Sequence, residues 1–321
     1  MTTRETQNSL KAVGEAMVAL GEQRDEVVVC ISDTLKTMGM DIFRSRFPDR
    51  LLDFGIGEQD AVMAAAGMAT CGKIPFMASY AVFLSMRTLE QIRTFISYPR
   101  LNVKILAGLG AYSAGVLGVT HAATEDLSIL RAIPGMTVIC PADAAGIRAA
   151  VFAAAEHQGP VYIRLGMAVP KVHGPDYKFE IGKAVRMRTE GQDAGIIANG
   201  IMLSRALDAA EQLSTEGIHV QVSEFHTLKP IDRGEIIRLA RETGALVTAE
   251  ENNIIGGLGG AVAEVLAEEV PTPLERVGIP DRFADTGSQD ELLEDFGLTV
   301  DAIVQAVRHA MSRKLQDVAT R

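Results

Sequence analysis

Glu58 is the carboxylate whose setting invites chemistry. It closes D-F-G-I-G-E (53–58), with glycines at 55 and 57, and it heads the alanine-rich run Q-D-A-V-M-A-A-A-G-M-A (59–69). A carboxylate at the mouth of an apolar segment can donate or accept a proton near neutral pH, because burial raises its pKa. It can equally be an ordinary first-turn acid that complements a helix dipole, a role Asp60 fits as well. His121 is the second such residue. It sits in G-V-T-H-A-A-T-E-D (118–126), a glycine–threonine turn entering a helix, where a side chain can face a cleft. A lone loop histidine is, however, more often structural than catalytic.

Other chemistries lack their residues. G-G-L-G-G (256–260) precedes a helix but misses the G-x-G-x-x-G register and sits late in its domain, so it reads as a tight turn with close helix packing. There is no G-x-x-x-x-G-K-[ST] and no G-x-S-x-G. The six histidines show no metal-ligand spacing. Cys30, Cys71 and Cys140 are scattered and odd in number, and read as small buried hydrophobes rather than a disulfide framework.

The elements that must carry these residues alternate. E-V-V-V-C-I-S (26–32) follows a helical stretch from about Ser9 to Gly21. L-L-D-F-G, K-I-P-F-M-A-S, N-V-K-I-L-A-G, M-T-V-I-C-P and P-V-Y-I-R-L-G read as further strands. Helices are expected between them, including 58–70, 84–97 and one opened by Asp143 as N-cap. Strands alternating with helices imply a parallel sheet covered on both faces. G-M-A-V-P-K-V-H-G-P-D-Y-K-F-E-I-G-K-A (166–184) breaks the rhythm and reads as a linker, after which a second alternating series begins. The fold class is therefore α/β, with two doubly wound open-sheet domains at 1–175 and 181–321. Ligands of such sheets gather beyond the carboxyl ends of the strands.

A net charge of −10 argues against nucleic acid or an anionic membrane as the main partner. The first ten residues are polar, and no apolar run reaches the ~18 residues of a spanning helix, so the chain reads as cytoplasmic.

Together, F-G-I-G-E-Q-D-A-V-M-A-A-A-G-M-A, S-Y-A-V-F-L-S-M-R-T-L-E-Q-I-R, G-V-T-H-A-A-T-E-D-L-S-I-L-R-A-I-P-G-M-T-V-I-C-P-A-D-A and P-V-Y-I-R-L-G, in this order, resemble the carboxy-terminal half of transketolase, over nearly the whole chain. They resemble above all the small subunit of split, two-chain transketolases. The resemblance implies a domain that binds the pyrimidine of thiamine diphosphate, followed by a transketolase C-terminal domain. Glu58 would bond the ring's N1′ nitrogen and so activate the cofactor. Tyr80, Phe83 and Met86 would clamp the ring, with Ile56 lining the same pocket and Asp33 near the cofactor. For Tyr80 and Phe83 the residues alone leave plain core packing open. His121 and Arg164 would face the substrate.

The resemblance also implies a second chain. The family holds the diphosphate and its Mg²⁺ through a G-D-G…N motif, and this sequence has no G-D-G. A large, amino-terminal subunit is expected to supply it, in an α₂β₂ assembly. Three polar positions of the family are leucine here: Leu117 for an aspartate that recognises a hydroxyl, Leu109 for a histidine and Leu10 for an arginine that grip phosphate. Arg4 could replace the last if the register slips. Three such changes at one mouth imply a less polar or unphosphorylated substrate. The rivals are a beta subunit of a 2-oxo-acid dehydrogenase or acyloin-forming enzyme, and a non-catalytic assembly or regulatory subunit.

Overall fold

The computed structural model describes residues 4–174 and 176–319. The expected domain edges at 1, 175 and 321 lie outside these. Among the described residues, fourteen strands alternate with helices. In the first half they are β1 (Thr6–Asn8), β2 (Val27–Ile31), β3 (Leu51–Asp53), β4 (Ile74–Tyr80), β5 (Lys104–Gly108), β6 (Thr137–Ile139), β7 (Val161–Arg164) and β8 (Ala168–Pro170). The second half carries β9 (Val185–Arg188), β10 (Ala194–Ala198), β11 (Val220–Glu224), β12 (Thr227–Lys229), β13 (Leu246–Asn253) and β14 (Leu274–Ile279).

The first sheet runs β12-β6-β7-β5-β4-β2-β3, and all its pairs are parallel except β12 with β6. β2 and β5 are buried along their whole length, which is why V-V-V-C-I and K-I-L-A-G read as continuous rather than alternating runs. Helix α1 (Ser9–Gln23) is capped by Asn8 Oδ1, which accepts from Leu10 and Lys11 N–H at 3.0 Å. Its Val13, Ala16, Met17 and Leu20 pack with Ile147, Ala150 and Val151 of the 144–156 helix on one side of the sheet. After α2 (Asp41–Arg46), α3 (Glu58–Thr70) covers the other side with Ala61, Val62 and Ala65 against Ile92 and Ile96. Asp143 caps the 144–156 helix through Gly146 N–H at 2.9 Å, as expected.

Three expectations change. The stretch read as a linker contains β8, which pairs antiparallel with β1. β12, from the second half, joins the first sheet's edge, so the halves share a strand ladder. The helix expected over 84–97 is two π-helical turns, Phe83–Arg87 and Ile92–Ser97, around a short α segment. The second sheet, β14-β13-β10-β11-β9, is parallel except for β9. Cys30 and Cys140 are buried, but Cys71 is exposed. No helix of the described residues is long and apolar enough to cross a membrane.

Candidate active site

Four neighbouring parallel strands, β5, β4, β2 and β3, end at the same edge of the first sheet. Asp33, Glu58, Tyr80 and Leu109 all lie at or just beyond those ends. Asp33, Leu109 and Ala111 have positive φ (53°, 55° and 45°). Non-glycine residues seldom adopt this conformation, and such strain collects where backbone is held for function.

Asp53 closes the loop that delivers Glu58. Its Oδ1 accepts from Asp33 N–H and from Gly55 N–H, both at 3.0 Å, tying the ends of β2 and β3. Gly57 precedes α3 with no side-chain cap, and Glu58 opens the helix. Asp60 is exposed, as a dipole-complementing acid should be, whereas Glu58 is 3% exposed. The two residues that shared one explanation in the sequence therefore separate in the fold. The carboxylate's nearest partner is not the alanine run but a cation: Arg87 Nη1 donates to Glu58 Oε2 at 2.7 Å.

Tyr80 ends β4 and Phe83 opens the first π-helical turn. Their rings stack at 5.7 Å, and His121 closes the group at 5.9 Å from Tyr80 and 5.3 Å, edge-on, from Phe83. Arg87 lies 4.3 Å from the centre of the Phe83 ring. Glu58, Arg87, Phe83, His121 and Tyr80 thus form one continuous group. Both rings pack on the hydrophobic core with one side and are only half-buried, which leaves the other side open to a ligand. His121 Nδ1 is 3.0 Å from Thr120 Oγ1, which fixes one side of the imidazole. Ile56 is 81% exposed and Met86 is exposed beside Arg87, so neither is enclosed within this chain.

The leucine positions divide. Leu10 and Leu109 line one cleft of ≈ 470 Å³ with Lys11, Lys36, Ile42 and Met167. Leu117 does not share it and stands exposed between Val116 and Val119 on the 112–121 loop. The three leucines therefore do not form one mouth within the chain. Arg4 is engaged elsewhere, with Asp208 Oδ1 at 2.6 Å and the Ser204 carbonyl. Arg164, expected to face substrate, is 3% exposed and does not reach the opening. Its Nε is 3.6 Å from Asp126 Oδ2, which also accepts from Tyr162 Oη at 2.7 Å. Burial opposes the guanidinium's charge, but Asp126, with Cys140 and Glu251 nearby, holds its pKa above the usual arginine value. Gly110 packs directly on the Arg164 side chain, and a Cβ there would meet it at 2.3 Å.

Sequence reasoning missed Asp53, Gln59 and Arg87. Gln59 Nε2 donates to the Arg87 carbonyl at 3.0 Å. The available signal was a cation four residues beyond Phe83 on the same helical face.

The description "Transketolase, pyrimidine binding domain" matches residues 5–168, and "Transketolase, C-terminal domain" matches residues 182–303. The chain belongs to the transketolase family. It is 41% identical over 301 residues to the 6-deoxy-6-sulfo-D-fructose transketolase subunit SqwH of Clostridium sp., covering 94% of this chain and 93% of the relative. It is 36% identical over 295 residues to an apulose-4-phosphate transketolase subunit of Phocaeicola vulgatus, covering 91% and 94%. A solved split-gene transketolase, an inactive beta4 tetramer, superposes with a TM-score of 0.90 at 46% identity, covering 96% of this chain and 99% of that one.

The transketolase family implies thiamine diphosphate, and the residues fit its pyrimidine ring. A flat aromatic ring needs aromatic faces, which Tyr80 and Phe83 offer. A ring nitrogen needs a buried acid with free hydrogen-bonding capacity, and Glu58 Oε1 carries no hydrogen bond from the described residues. When bound, the cofactor supplies a carbon nucleophile able to carry a two-carbon unit. Glu58 would hold a proton at Oε1, and His121 would present a ring nitrogen to a substrate oxygen.

Proposed function

We propose that the chain is the pyrimidine-binding subunit of a two-chain, thiamine-diphosphate-dependent transketolase. It transfers a two-carbon ketol unit between a ketose donor and an aldehyde acceptor. The observation that carries this reading is the buried Glu58 carboxylate, one oxygen free, beside the Tyr80–Phe83–His121 cluster. Glu58 activates the cofactor, Tyr80 and Phe83 hold its ring, and His121 contacts substrate. Ile56, Met86 and Asp33 line the same pocket once a second chain covers them, which suits their exposure here. That second chain brings the diphosphate and Mg²⁺ site in an α₂β₂ assembly. Arg164 enters this reading only as support behind Gly110.

The substrate is not an ordinary pentose phosphate. Leu10 and Leu109 give their cleft an apolar floor, and Lys11 and Lys36 are the only cations on its wall among the described residues. A tail bound there meets two ammonium point charges rather than an arginine fork and an imidazole. SqwH and the apulose-4-phosphate transketolase relative are named for unusual sugars, one sulfonated and one phosphorylated, which supports a non-standard sugar that keeps an anionic tail.

The test is reconstitution. The chain is co-produced with a large subunit bearing G-D-G…N, and turnover of xylulose 5-phosphate is compared with unphosphorylated ketoses, a sulfonated ketose and 2-oxo acids. Ketol transfer that requires both chains, and that is poorer with xylulose 5-phosphate, is expected. Carbon dioxide release from a 2-oxo acid as the main reaction would overturn the transferase reading.

A further inference from the structure

The residue roles implied by the resemblance leave the neighbour of Glu58 without one. Arg87 reaches a carboxylate that is itself 3% exposed, while its own side chain is 45% exposed. An ion pair between exposed groups adds little stability. This one differs, because removing the guanidinium would leave a buried carboxylate without its charge partner, which is costly.

Three ties fix the arginine. Its guanidinium donates to Glu58 Oε2 at 2.7 Å and lies over the Phe83 ring at 4.3 Å. Its main-chain carbonyl accepts from Gln59 Nε2 at 3.0 Å, so both its backbone and its side chain are anchored to α3. The π-helical turn Phe83–Arg87 makes this possible. A π turn inserts extra backbone into a helix and swings the following side chain to a new face, and such turns are frequent at functional sites.

We infer that Arg87 is a positioning residue for Glu58: it occupies Oε2, and so reserves Oε1 for the ring nitrogen of a pyrimidine seated on Tyr80 and Phe83. The inference rests on the reading that Glu58 meets the cofactor ring. A carboxylate held at one oxygen cannot turn both oxygens toward its own surroundings. Its free oxygen keeps one direction, so the proton that Oε1 shares with the ring nitrogen is preorganised. Arg87 touches no reacting atom in this scheme and acts through Glu58 alone.

The experiment uses the assembled two-chain enzyme and measures the dissociation constant of thiamine diphosphate with Mg²⁺ by calorimetry, alongside the melting temperature of the cofactor-free complex. Arg87→Met is expected to weaken cofactor binding by about tenfold or more, the scale of one charge-assisted hydrogen bond. Arg87→Lys keeps one charged donor but not the flat guanidinium, and falls between. It also decides the matter if Arg87→Met does not fold. The effects of Arg87→Met and Glu58→Gln should overlap rather than add, as for two members of one unit. Unchanged cofactor affinity in both arginine variants, with or without a lower melting temperature, would make the residue merely structural and overturn the proposal. Additive effects would overturn it as well. If Glu58→Gln alone leaves affinity and turnover untouched, the underlying reading of Glu58 fails instead, and that result does not involve Arg87.

Discussion

The strand-end opening and the seam between the two halves treat buried charge differently. At the seam, His173 is bonded through both ring nitrogens, to Asp143 Oδ1 at 2.8 Å and Glu224 Oε2 at 2.9 Å. Tyr177 adds a second donor to Glu224 at 3.1 Å and packs on the imidazole. Burial opposes the imidazolium, yet the two carboxylates hold His173 at a pKa of about 9. Burial likewise opposes the Asp143 carboxylate, and hydrogen bonds from His173 and Gly146 hold it at about 2. At the opening, Glu58 is as deeply buried but has one partner, and the rings beside it are half-exposed. His173 at the seam is held at both ring nitrogens, although Glu224 Oε1 has no partner among the described residues; at the opening the free oxygen of Glu58 lies beside half-exposed rings, where a ligand can reach it.

The largest effect that could break this contrast is at Glu58. Glu58→Gln keeps shape and removes the acid, and should cut turnover by about 100-fold or more, the scale of a lost acid–base contribution. Sedimentation should show the same assembly as the wild-type chain. Turnover within a few-fold of wild type would return Glu58 to the ranks of helix-start acids.

Arg164→Met tests a second buried ion pair, inside the first half, next. Leaving Asp126 buried without its guanidinium should cost about 3 kcal/mol in stability, read as a lower denaturant midpoint. A raised KM for phosphorylated ketoses with an unchanged midpoint would instead carry Arg164 to the opening.

The pH dependence at His173 is a subtler probe. Its folded pKa lies above the unfolded value, so its contribution is complete below about pH 6.5 and is lost as pH rises through about 9. Lys104 runs the other way, because burial lowers its pKa to about 7, so stability from this group rises above that pH. The His173→Gln difference from wild type isolates the histidine. It should be largest at pH 6 and shrink towards pH 9.5, and a difference independent of pH would mean that His173 is neutral in the fold.

The smallest effect concerns the cleft. Leu109 has φ +55°, a conformation histidine tolerates better than leucine. Leu109→His should lower the KM for a phosphorylated ketose by a few-fold without loss of stability. No change would show that the tail of the substrate lies elsewhere.

Much of the fold was legible because its signals are local. β2 announces itself as a β-branched run, β5 as a short apolar run, and Asp143 as a cap ahead of an alanine-rich helix. β9 and β14 were not legible, because V-R-M-R and L-E-R-V-G-I mix charge into the strand. At the site, Glu58, Tyr80, Phe83 and His121 were named, and the structure brings all four together. Arg87 was missed for a physical reason. In a regular helix its residue type reads as a solvated face, and nothing in S-M-R-T announces the π turn. Arg164 reads as available at its strand end, and its burial against Asp126 depends on side chains distant in sequence.

The strand that the second half lends to the first sheet bears on any attempt to divide this protein. β12 is all that covers the outer margin of β6 among the described residues. A fragment cut at the 166–184 stretch would bare the hydrogen-bonding groups of Thr137–Ile139, a template on which foreign strands can nucleate. Truncation for crystallography or fusion would therefore yield sticky, self-associating material rather than a free-standing cofactor module.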